Sequence, residues 1–164
     1  MKKFIFLILS LIAAIEIGNS ANLDNKRAFT AIKKDEFSPT NLRLYLQEKK
    51  IKHIEIVYAQ AILETGEFKS PIFKQNNNLF GMKYVGKSKW ARKTTAIGEQ
   101  YNHAKYIHWK HSVDDYLLWQ QMFKRTPIET QEQYFKLLGK RYSESSIYVK
   151  VLKQIMKERN LQSK

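Results

Sequence analysis

Glu64 closes the apolar run Tyr58-Ala59-Gln60-Ala61-Ile62-Leu63-Glu64, and Thr65-Gly66 follow it directly. Downstream comes the string Asn76-Asn77-Asn78-Leu79-Phe80-Gly81-Met82-Lys83. Glu64 lies seven residues after Val57, four after Gln60 and three after Ala61, which places it at the edge of an apolar helical stripe. A carboxyl held partly out of water keeps its proton near neutrality, as a general acid must. The same position also suits a glutamate that only caps the helix or pairs with a lysine. Spacing leaves both readings open. The asparagines offer side-chain hydrogen bonds that fix turns, and amides that suit sugar hydroxyls.

The elements that must position these residues are legible in the pattern. A helix is expected over residues 53–65, with Ile54, Val57, Ala61 and Ile62 facing the core. Gly66 is expected to end it in a left-handed conformation. Ser70-Pro71 is expected to bar its continuation, leaving an ordered loop from Ser70 to Lys83. Ahead of it, Ser38-Pro39 reads as an N-cap and first helical residue, with Leu42, Leu44, Tyr45 and Leu46 to one side of a helix ending near Lys50. Residues 93–99 and 103–107 read as two short strands about a polar turn that holds Glu99. Ser112 reads as the N-cap of a helix with Asp114 and Asp115 in its first turn. Thr130 and Gln133 form a capping box for a helix ending at Gly139. A last helix is expected over residues 147–161, with Ile147, Val151, Leu152 and Ile155 inward.

Composition bounds the rest. The chain has 164 residues, enough for one domain, and no cysteine, which excludes disulfides and thiolate zinc sites. Lys2, Lys3, an apolar run from Phe4 to Ile15 and the small residues before Ala21 read as a signal peptide over residues 1–21. The run is short and is followed by Glu16, which argues against a retained span. Residues 22–37 read as a flexible lead-in segment and 38–164 as the working domain. The expected location is therefore secreted, periplasmic or at the cell envelope. The net charge of +14 attracts polyanions. Outside the cytoplasm those are wall polymers and lipid head groups, and no nucleic-acid partner is expected. His103, His108 and His111, five and three residues apart, form no recognised zinc pattern. Neither a metal nor an organic cofactor is expected. Tyr106 offers an aromatic face to a sugar ring, and Trp109 reads as core.

The strings 59–66 and 77–83 together resemble the signature of the glucosaminidase domains of glycoside hydrolase family 73. The resemblance spans Ser38 to Leu161. It implies an α+β, mainly α, lysozyme-like domain with a small β-hairpin lobe beside the substrate groove. It implies cleavage of the β-1,4 bond between N-acetylglucosamine and N-acetylmuramic acid in peptidoglycan glycan strands. A monomer is expected. It places the catalytic acid on Glu64 and the substrate site along Asn78, Phe80 and Gly81, with Tyr106 nearby. Arg141-Tyr142-Ser143 followed by Tyr148 is similar to the family's late motif, which would bring Tyr142 to the catalytic centre. One departure stands out. Many members carry a second carboxylate directly after paired threonines, but Thr94-Thr95 is followed here by Ala96, and the nearest acid is Glu99. Either the substrate's acetamido oxygen assists a single acid, or Glu99 activates water from the opposite face. A lytic transglycosylase of similar fold and a non-catalytic wall-binding domain are the competing expectations.

Overall fold

The computed structural model describes residues 35–86 and 92–161. The expected signal peptide, and the lead-in segment ahead of Asp35, lie outside them. The described residues fall into two units divided between Asn41 and Leu42. In the first, Ser38 Oγ accepts from the Asn41 amide at 3.0 Å, the cap that Ser38-Pro39 predicts.

Among the described residues the order is α1 (Pro39–Glu48), α2 (Ile54–Glu64), α3 (Pro71–Asn76), β1 (Gly98–Gln100), β2 (His103–Lys105), α4 (Trp109–Gln121), α5 (Gln131–Arg141) and α6 (Tyr148–Glu158). The architecture is mainly helical, with one two-stranded antiparallel sheet.

The second unit is built around α2. Every residue from Ile56 to Ile62 is buried. This corrects the expected one-sided stripe: a helix enclosed all round is a core helix, not a surface one. Leu63 and Glu64 form its half-exposed last turn. Gly66 then turns left-handed at φ +53, as expected, and Glu67 and Phe68 follow in the same region. Thr65 is buried and ties this turn together, donating to Ala61 O and accepting from the Phe68 amide at 2.8 Å.

Helix α6 packs on α2, and α5 packs on α6. Gly139 lies within α5 and does not end it. A Cβ there would sit 3.2 Å from Val149 Cγ2, so the glycine serves the close approach of two helices. The Thr130–Gln133 capping box forms as expected. Ile147 is 59% exposed and precedes α6, so the inward face of that helix begins at Tyr148.

Helix α4 begins before the expected Ser112 cap. His108 caps it, and the buried Trp109 is its first residue. Ser112 is enclosed, donating to Trp109 O at 2.8 Å. Asp114 and Asp115 are thereby displaced from the first turn. Asp114 accepts from Tyr45 Oη and pairs with Lys49, tying α4 to α1. Asp115 is fully buried, and accepts from Arg92 Nη1 at 2.6 Å, Arg92 Nη2 at 3.0 Å and Tyr106 Oη at 2.6 Å. In α1, Leu42 and Leu46 are enclosed, whereas Leu44 is 51% exposed and not inward as expected.

The hairpin pairs Gly98 with Lys105, Glu99 with Ala104 and Gln100 with His103. Tyr101 and Asn102 make the turn, both left-handed at φ 55 and 58, the arrangement that matches the twist of short hairpins. Glu99 therefore lies on β1 and not in the turn as expected.

Candidate active site

The loop that faces Glu64 is held by its asparagines. Ser70 caps α3, a short helix where a loop is expected, and Asn77 ends it in the left-handed region. Asn77 Nδ2 donates to Tyr106 O and Ile107 O, both at 3.1 Å. Asn76 Nδ2 donates to Gln100 O at 2.7 Å. Asn78 Nδ2 reaches Met82 O and Ala104 O at 2.9 Å, while its Oδ1 accepts from the amides of Phe80 and Met82. These bonds staple residues 76–82 to β2 and β1. They also close a tight turn that brings Gly81 against Glu64.

That approach needs glycine. Gly81 has φ +63, and a Cβ there would lie 2.7 Å from Glu64 Oε2. Gly81→Ala is expected to lower kcat by roughly 100-fold, because it displaces the carboxyl by a fraction of its own length. The left-handed backbone adds a strain of about 1–2 kcal/mol. Steady-state kinetics beside a melting curve separates the two effects.

Glu64 ends α2 and is half-exposed. Burial raises its carboxyl above the ordinary range; a hydrogen bond from Tyr148 and the nearby His103 pull it partly back. The negative end of the α2 dipole acts in the same direction as burial. Tyr148 Oη donates to Glu64 Oε1 at 2.8 Å, and Gln60 Nε2 donates to Tyr148 Oη at 3.1 Å. Tyr142 stacks on Tyr148 with ring centres 5.9 Å apart, and its hydroxyl donates to Phe80 O at 2.5 Å. It thus holds the loop whose next residue is Gly81.

The structure brings Glu64, Gly81, Tyr142 and His103 together, and adds two residues that sequence reasoning did not place at the site. Tyr148 was visible only as the second tyrosine of a short motif. Gln60 carried no signal beyond being a polar residue inside an apolar run. Asn78, Phe80 and Tyr106 are at most 1% exposed. Asn78 spends its amide on the loop backbone and on Ala104 O of β2, Phe80 packs on Tyr116 with ring centres 4.5 Å apart, and Tyr106 is occupied by Asp115. They shape the wall of the site from within and have no face free for a sugar. Glu99 is exposed, and among the described residues no hydrogen bond or ion pair holds it. Trp109 is buried, as expected. Among the described residues no three His, Asp or Glu side chains converge as a metal site.

Residues 40–161 match the glucosaminidase family profile, described as mannosyl-glycoprotein endo-beta-N-acetylglucosaminidase. Among solved structures, the catalytic domain of the autolysin Auto from Listeria monocytogenes is similar in fold. It is 21% identical, with a TM-score of 0.52 over 75% of this chain and 80% of that one. That likeness bears out the expected lysozyme-like, mainly helical architecture with its small β-lobe. No curated protein matches the chain.

Proposed function

The chain belongs to the glucosaminidase family of glycoside hydrolases, and we propose that it cleaves the β-1,4 bond on the reducing side of N-acetylglucosamine in peptidoglycan. The observation that carries this reading is Glu64. It is a carboxyl whose proton affinity is raised by burial, with one oxygen held by Tyr148 and the other beside a bare glycine backbone.

Glu64 donates its proton to the glycosidic oxygen as the bond to the anomeric carbon breaks, and the next sugar leaves with a free hydroxyl. The acetamido oxygen of the cleaved sugar closes onto the anomeric carbon. Water then opens that ring, and Glu64 takes back a proton from the water. Ala96 in the place of a second carboxylate, and the unheld Glu99, support a single acid. Tyr142 acts by holding the loop against Glu64.

The anionic wall fits the charge of +14, and the autolysin likeness agrees with it. The family description names a different glycan with the same kind of linkage, so the substrate is testable by product. Mass spectrometry of purified peptidoglycan treated with the protein should find new N-acetylglucosamine reducing ends. Anhydromuramic ends would assign a lytic transglycosylase. Cleavage of a mannosyl glycoprotein alone would move the substrate. Binding without fragments would leave a wall-binding domain.

A further inference from the structure

A buried row of polar side chains runs from Glu64 back along α2 to the backbone of Lys52. Gln120 is 5% exposed and meets that backbone with both ends of its amide: Oε1 accepts from the Lys52 amide at 3.2 Å, and Nε2 donates to Lys52 O at 3.1 Å. The backbone thereby dictates which end of Gln120 is which. The second hydrogen on Nε2 donates to Tyr134 Oη at 2.6 Å. Tyr134 lies 2.6 Å from Tyr116 Oη. Gln120 Nε2 can only donate, so among the described residues Tyr116 Oη is the acceptor left for the Tyr134 proton. Tyr116 must then donate onward, to Gln60 Oε1 at 2.5 Å. With its oxygen so occupied, Gln60 presents its nitrogen to Tyr148, and Tyr148 donates to Glu64 Oε1.

We infer that Gln120, Tyr134, Tyr116 and Gln60 are positioning residues that form a one-way donor chain, set in direction by the Lys52 backbone, which reserves Glu64 Oε1 as an acceptor and puts the acidic proton on Oε2 beside Gly81. The inference deepens the proposed function and rests on Glu64 being the acid. Each member has a single proton arrangement compatible with its neighbours, so reversing one bond reverses the rest. A Gln60 turned end for end would accept from Tyr148, and Glu64 would lose its donor. Burial keeps the Tyr116, Tyr134 and Tyr148 hydroxyls protonated, so the chain holds its full set of donors across working pH.

The titratable groups that face Glu64 are Tyr148 from α6, Tyr142 beyond the end of α5 and His103 from β2. The Tyr116 hydroxyl bonds to none of them, and Tyr116→Phe keeps the ring that meets Tyr142 at 5.9 Å. It removes the proton that fixes Gln60, which frees Gln60 to turn and take the Tyr148 proton. The carboxylate then loses a favourable hydrogen bond, so the Glu64 pKa should rise, as it should in Tyr148→Phe. The direct readout is the side-chain carboxyl carbon of Glu64 in isotope-labelled protein, titrated by NMR and assigned with Glu64→Gln. The alkaline limb of the kcat profile should move upward with it, and kcat should fall roughly 10-fold at unchanged KM. The double variant Tyr116→Phe/Tyr148→Phe should titrate as Tyr148→Phe does, because both act on one bond. Tyr134→Phe tests the same link one step further back, and serves where Tyr116→Phe lowers the folded yield.

An unmoved Glu64 titration in folded Tyr116→Phe and Tyr134→Phe overturns the chain, as do fully additive shifts in the double variant. The two levels of the argument separate cleanly. Activity retained in Glu64→Gln, with a titration that still responds to Tyr116→Phe, removes the acid assignment and keeps the chain. An inactive Glu64→Gln with an unresponsive titration does the reverse.

Discussion

Glu64→Gln is expected to lower kcat on peptidoglycan by about 10²–10⁴-fold, the usual contribution of a positioned proton donor. The amide keeps the shape of the carboxyl and can still accept from Tyr148, so the loss falls on proton delivery. KM should hardly change, because the lost interaction belongs to the transition state. Stability should move the other way. Burial raises the Glu64 pKa in the folded protein. Its contribution to stability is therefore fully present below the unfolded carboxyl pKa and is lost as pH rises through the folded value. Gln carries no such loss. The variant should melt at or above the wild-type temperature near neutrality, with the gap closing in acid. A variant both inactive and less stable at neutral pH would point to a structural glutamate. Retained hydrolysis would sink the acid assignment outright.

Asp115→Ala should be the most damaging change away from the reaction. Asp115 is fully enclosed and Arg92 nearly so, and the same carboxylate accepts from Tyr106. Removing the aspartate strands a guanidinium and a hydroxyl where water is scarce. Breaking one side of such a buried pair costs about 3–5 kcal/mol. Denaturant midpoints with an unchanged m-value measure it. Asp115→Asn, which still accepts from Tyr106, should lose less. A loss below about 1 kcal/mol for Asp115→Ala would class the pair with exposed ion pairs and refute the structural role.

Asp114 and Asp115 mark where local reading went astray. Two acids after a serine look like a helix start, and the pattern is sound for a surface helix. The core takes in Trp109, so the helix starts earlier and both acids move into its body, one to Tyr45 and Lys49, the other into the interior. Gly139 went astray in the same way. Glycine after an apolar face reads as a helix end, but here it makes room for Val149. In each case the deciding partner belongs to another element.

By itself the sequence determined what depends on near neighbours. Residues a turn apart lay down the helices, Gly66 stops α2, Ser38 and Thr130 cap their helices, and Glu64 stands at the end of an apolar run beside an Asn-Leu-Phe-Gly string. Backbone sterics and the helical period act over a few residues, so a linear pattern records them. Tertiary structure alone decided what Glu64 meets. Tyr148 lies 84 residues away along the chain, and Tyr116 is 56 from Gln60. Packing α6 on α2 and folding the asparagine loop onto the hairpin set the distances at which a hydroxyl donates to one carboxyl oxygen and a glycine clears the other. Hydrogen bonds form or fail over tenths of an ångström, a scale that spacing in sequence does not carry.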